Sequence, residues 1–239
     1  MSEKIQIIAG PGASVVEIRE GKALELREPV KINISGTLSA PYDFLDSGKL
    51  AFHNPLASHV LIDADKGTLM LISDETNHYQ AKIFGSLTLF EDLVAFEINT
   101  DRKRTNQELI RFLKRVKFYF PDPLQHTGFL EKIQKFSASV QTMIKDERDN
   151  GGNSINAIEK KVTSELGQLK FKLELPIYKG YPKVAFEVEV CLDPTDKAIN
   201  FFLESVELFT LIKEKKEQYI NEEVEKLKAK FACSYIRLS

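Results

Sequence analysis

Apolar residues recur at every second position towards both ends of this chain and at every third or fourth position in its middle. That change of period is what most limits the folds open to it. Residues two apart share one face of a strand, and residues three and four apart share one face of a helix. Val60 and Ile62 precede the segment DADKG at 63–67, and Leu69 and Leu71 follow it, all on the period of two. DADKG invites comparison with a calcium loop, which needs acidic ligands at positions 1, 3 and 5, glycine at 6 and a bidentate glutamate at 12. Asp63 and Asp65 fit the first two, but Gly67 falls at position 5 and Asp74 at position 12. The spacing therefore predicts a hairpin turn over 65–67, with Gly67 in the left-handed conformation.

The same period covers most of the first hundred residues. SVVEIREGKALELRE predicts a hairpin turning near Glu20, Gly21 and Lys22. Val30, Ile32, Ile34, Gly36 and Leu38 alternate as a further strand, which Pro41 ends. HYQAKIFGSLTL and LVAFEIN supply two more strands. GPG at 10–12 is a turn, because alternation follows it and a phosphate loop must open a helix.

The period changes at Asn99. Thr105 and Glu108 form a Thr-x-x-Glu capping box ahead of a helical repeat whose apolar side carries Leu109, Ile110, Phe112, Leu113 and Val116. Seven Lys/Arg and one Glu lie between Arg102 and Lys117, the densest positive charge in the chain. Arg104, Arg111, Lys114 and Arg115 are expected within roughly 100° of arc on the polar side. Beside Phe118, Tyr119 and Phe120 they form a candidate nucleic-acid surface, with Tyr119 or Phe118 to stack a base. The other reading is a solvated helix face with its aromatics in the core. PDP at 121–123 stops this helix. A second runs from about Thr127 through Phe129, Ile133, Phe136, Val140 and Met143 to the glycines at 151–152, and Ile155, Ile158 and Val162 suggest a short third.

LKFKLELPIY and KVAFEVEVCL form a hairpin, and INFFLES returns as a third strand. Ser205 is expected to cap a long helix over 206–230, with Leu208, Leu211, Ile212, Tyr219, Ile220, Val224 and Leu227 as its stripe. CSYIRL closes the chain as a strand of the same sheet. The resulting fold class is α+β: an antiparallel N-terminal sheet, a helical middle, and a C-terminal hairpin or sheet packed by a long helix. The regions are 1–100, 101–165 and 166–239, as separate units or one integrated domain.

No reaction motif is present. Glu204-Ser205 stands where a nucleophile elbow would, without the G-x-S-x-G frame. Glu187 and Glu189 are two apart on a strand and should face water. His53, His59, His78 and His126 never pair at ligand spacing, and Cys191 and Cys233 have no histidine near them, so neither a metal nor a disulfide is expected. No cofactor is indicated. The net charge of −2 argues against wholesale coating of nucleic acid, though not against a local basic patch. No apolar run approaches the ~20 residues of a membrane span, and no signal peptide is visible, so a cytoplasmic protein without a membrane partner is expected.

The order of features resembles the YfdQ-like family of uncharacterised phage and prophage proteins. The similar stretches are the β-rich front, the FLKRV helix, FLEKIQKFSASV, and LKFKLELPIYKG leading into a strand hairpin. That resemblance implies a mobile-element protein in the cytoplasm of a bacterial host, and carries no catalytic residue onto this chain. Three functions stay open: a binding protein acting on nucleic acid or on a host or phage protein; a self-assembling homo-oligomeric scaffold; and an enzyme with a site assembled from distant residues such as Asp63, Asp65, His78 and Glu97.

Overall fold

The computed structural model describes residues 32–47, 54–76, 80–150, 169–194 and 199–238, with the backbone alone for 137, 139–150 and 194. The hairpin over 14–28, the turn at 10–12, the helix expected over 155–162, His53 and His78 lie outside the described residues. In chain order the elements are β1 (Asn33–Thr37), α1 (Ala40–Asp46), β2 (His59–Asp63), β3 (Thr68–Ile72), β4 (Lys82–Ser86) and α2 (Glu91–Phe96). Then come β5 (Arg104–Thr105), α3 (Asn106–Arg115), a 3₁₀ turn (Lys117–Tyr119) and α4 (Pro123–Asn150). β6 (Lys170–Pro176), β7 (Lys183–Pro194), β8 (Ile199–Glu204), α5 (Val206–Lys230) and β9 (Ser234–Leu238) complete the chain. The class is α+β, as the two hydrophobic periods predict.

Among the described residues the strands form two sheets, in the orders β1-β4-β3-β2-β9 and β5-β8-β7-β6. In the first, β2, β3 and β4 form an antiparallel meander whose inner residues Val60, Ile62, Leu69, Leu71 and Ile83 are 0–5% exposed. The DADKG segment is the turn between β2 and β3. Asp63 pairs with Thr68, so the loop has four residues, not three, and Gly67 takes φ 69°. The Asp63 carboxylate accepts from the Lys66 backbone N–H at 2.9 Å and from Lys66 Nζ at 2.8 Å. Those bonds hold its pKa below the usual carboxylate value.

Four expectations are corrected here. LVAFEIN is not a strand: Leu93 and Phe96, three apart, are buried on one side of α2. A uniformly apolar run satisfies both periods, and packing selected the helical one. Pro41 does more than end a strand, since it sits in the first turn of α1, where its missing N–H costs nothing. α4 starts at Pro123 for the same reason, ahead of the expected Thr127. CSYIRL joins the other sheet: β9 pairs with β2, in parallel, as β1 does with β4, so the front sheet is mixed at its two edges. α5 has 25 residues and spans about 38 Å. A helix of that length leaves its own sheet behind and delivers the chain to the far one.

The second sheet is antiparallel throughout. Its inner face carries Phe171, Leu173, Leu175, Phe186, Val188, Val190, Phe201 and Leu203, all 5% exposed or less. α3, the 3₁₀ turn and the start of α4 cover that face. Phe120 stacks on Phe171 at 5.1 Å, Phe129 packs at 4.8 Å from the same ring, and Phe96 meets Phe112 edge-on at 5.0 Å. α5 leaves β8 through Ser205, whose Oγ accepts from the Leu208 N–H at 3.1 Å and donates to the Glu187 carbonyl at 2.5 Å. Further along, Lys216 Nζ donates to the Asp65 carbonyl in the DADKG turn and Asn221 accepts from Arg237 of β9.

Candidate nucleic-acid interface

The basic helix is built as its sequence requires. Thr105 caps α3: its Oγ1 accepts from the Glu108 N–H at 3.4 Å, while Glu108 Oε2 accepts from the Thr105 N–H at 2.9 Å. Glu108 Oε2 also accepts from the Thr105 hydroxyl at 3.1 Å, and the two bonds to its carboxylate lower its pKa, the backbone one most. Leu109, Phe112, Leu113 and Val116 are buried. Arg111, Lys114 and Arg115 are exposed along the outer side, and Lys117 continues their line on the 3₁₀ turn.

The structure divides the seven cations into two groups. Arg102 Nε lies 3.6 Å from Glu97, Lys103 Nζ 2.7 Å from Asp193, and Arg104 Nη2 2.6 Å from Glu97. Arg111, Lys114, Arg115 and Lys117 have no carboxylate partner among the described residues. The one acidic side chain on the helix, Glu108, is spent on the cap. Arg115 lies over the Phe112 ring at 5.5 Å, which orients it without neutralising it.

Two expected site residues are corrected. Arg104 is not on the helix: it belongs to β5, paired with Phe201, and its side chain is 7% exposed. Its guanidinium sits 4.8 Å over the Phe112 ring, and burial lowers its pKa. The capping box carried that signal, since an N-cap at Thr105 leaves Arg104 outside the helix. Tyr119 is not available to stack bases. It is 5% exposed, and its phenol donates to the Asp92 carboxylate. Burial first, then the Asp92 hydrogen bond and charge, push its pKa up to about 12. Phe118 takes the exposed position instead, at 61%. The 3₁₀ period of three sets Tyr119 in line with buried Val116 and turns Phe118 outward.

Among the described residues the other candidate chemistry does not assemble, and His78 lies outside them. Asp63 is held by Lys66 and Glu97 by Arg104, and no three His, Cys, Asp or Glu side chains gather at metal-binding spacing among the described residues. His59 Nδ1 lies 3.4 Å from Glu75, and His126 Nε2 lies 3.1 Å from the Leu113 carbonyl oxygen. Cys191 and Cys233 are free thiols. Burial, then the Glu204 charge, push the Cys191 thiol up to about 12, so it is a poor nucleophile. Two shallow grooves, of about 340 and 380 Å³, meet at Glu204 on the outer side of the second sheet. Asp101 and Asp193 line one, and Glu187, Glu189 and Glu207 the other. Lys103 pairs with Asp193 in the first and Lys170 with Glu187 in the second, and the carboxylates left over keep both grooves acidic, so neither suits an anion.

The chain matches no family model, no curated protein and no solved structure. Among the described residues no helix is long and apolar enough to cross a membrane.

Proposed function

We propose that this is a non-catalytic, phage- or prophage-type binding protein that holds single-stranded nucleic acid on the outer side of α3. Arg111, Lys114, Arg115 and Lys117 line the backbone phosphates and Phe118 stacks a base. The observation that carries this reading is the conjunction of four cations without carboxylate partners among the described residues and a phenylalanine 61% exposed at their end. Either feature alone is ordinary on a solvated helix face, as Phe209 of α5 shows, and it is their adjacency that supports the reading. Stacking on one ring and charge on phosphates are both tolerant of sequence, so the expected partner is any single strand and not one site. The resemblance to the YfdQ-like family supports a role as an accessory factor in a mobile element.

Binding is tested by fluorescence anisotropy with labelled oligonucleotides of mixed sequence. Four neutralised phosphates predict a slope of log K against log salt of about −3 for a single strand. Arg111→Ala, Lys114→Ala and Arg115→Ala together should bring that slope towards −1 with the fold intact. Phe118→Ala should weaken binding by roughly 1–3 kcal/mol without changing the slope. Absence of binding to single- or double-stranded DNA or RNA at low salt removes the proposal.

A further inference from the structure

Among the described residues the first sheet has one face that packs on α1 and α5 and one that no helix covers. The packed face is fixed by Gly85, where a Cβ would meet Pro41 of α1 at 2.9 Å, and by Arg237, which reaches Asn221 of α5. The open face holds the alternate residues of every strand, and strand register sorts them into three rows. The central row is Ser35, Phe84, Met70, Leu61 and Ile236. On one side lie Asn33, Lys82, Ile72, His59 and Ser234, and on the other Thr37, Ser86, Thr68, Asp63 and Leu238. Phe84, Ile236 and Leu238 are 37%, 45% and 46% exposed, and Leu61, Met70 and Ile72 are half-buried.

We infer that this open face is where a second copy of the chain docks, sheet against sheet. An apolar centre of Phe84, Met70, Leu61 and Ile236 with a mostly polar rim is the anatomy of a protein interface. Five strands about 4.8 Å apart and five residues long give a face of about 24 by 17 Å in plan. The side chains standing on it raise its accessible area towards the ~600–1,000 Å² per partner that a stable pair buries. The face is also complementary to itself. Under a two-fold axis across the strands each strand lies antiparallel over its own copy, so Met70, Phe84, Leu61 and Ile236 each meet their own copy along the axis. A twofold along the strands would set Ser35 over Ile236 and Lys82 over His59 and break up that apolar row. Packed sheets of this kind stand about 10 Å apart, room for one interdigitated layer of side chains.

The test is sedimentation equilibrium of the full chain across the micromolar range, with wild type and Met70→Arg. The expected result is a dimer for wild type and at least a hundredfold weaker association for Met70→Arg, with an unchanged circular dichroism spectrum. Should Met70→Arg fail to fold, Phe84→Thr with Ile236→Thr keeps strand-forming residues and removes the apolar centre, and is read in its place. Hydrogen exchange of the wild-type dimer should protect β2, β3 and β4 relative to dilute protein. A wild-type monomer at all concentrations overturns the inference, as does a monomer whose open face resists labelling because another segment of the same chain covers it. A dimer that survives both variants, or that protects only the β1 or β9 edge, also overturns it.

Discussion

Arg104 and Arg111 lie seven positions apart with opposite surroundings, one buried on Glu97 and Phe112 and one in water with no carboxylate near it. Charge counting along the sequence treats them alike, because it registers the charge and not the partner. Arg104→Ala is expected to cost about 2–3 kcal/mol in urea unfolding, from lost charged hydrogen bonds and packing. Glu97 is 42% exposed and can be rehydrated, which keeps the cost below that of a fully buried pair. Oligonucleotide affinity should not change, and a large affinity loss without destabilisation would return Arg104 to the interface. Tyr119 and Tyr181 are the corresponding case among neutral groups, both with pKa values pushed up to about 12, chiefly by burial. Unfolded tyrosine ionises near pH 10, so the folded state keeps these protons longer. Their contribution is complete below about pH 10 and is lost as pH rises towards 12. Tyrosinate absorbance of the native protein should therefore lag behind that of the urea-unfolded chain. Coincident titration curves would show that neither phenol is held.

The two helix starts with side-chain caps were legible, because a cap is a local event. Thr105-x-x-Glu108 and Ser205 are where the sequence places them, and each side chain accepts the expected backbone N–H. Ser205 also donates to Glu187, and Asn99 brackets its peptide, accepting from the Ser205 N–H and donating to the Ser205 carbonyl at 2.8 Å each. Asn99 holds φ 59° to do so, a conformation asparagine tolerates better than most residues. Ser205→Ala should cost about 2 kcal/mol, a lost cap plus a carbonyl left without its donor. A change below about 0.5 kcal/mol in chemical denaturation would mean that water replaces both bonds. Strand identity was legible where polar and apolar residues alternate, as in LKFKLELP, and failed at LVAFEIN, where they do not. Of the candidate surface, Arg111, Lys114 and Arg115 were legible from helical period alone. Phe118 was named beside Tyr119 for stacking, and which of the two faces water was not legible, since that depends on a switch to 3₁₀ geometry after Arg115.

At the scale of the molecule, α5 is the strut between the sheets and β9 is its far anchor. Which sheet β9 joins was not legible, because alternation in CSYIRL marks a strand without naming its partner, and the β2 edge is brought to it only by tertiary packing. Removing 234–238 would bare the edge of β2 and delete its parallel ladder, Tyr235 and the Arg237–Asn221 bond. The expected loss is roughly 3–5 kcal/mol at about 1 kcal/mol per hydrogen bond, read from the denaturation midpoint. An unchanged midpoint would make β9 an ornament of the sheet. The β2–β9 pairing also has a consequence in time. Its partners stand roughly 175 positions apart in sequence, so β2 emerges from the ribosome long before the strand that covers it. At ~5–20 residues per second the wait is on the order of 10–35 seconds. Through that interval the nascent chain carries a finished hairpin with one bare edge, the state in which a ribosome-associated chaperone has most to protect and a crowded polysome most to lose.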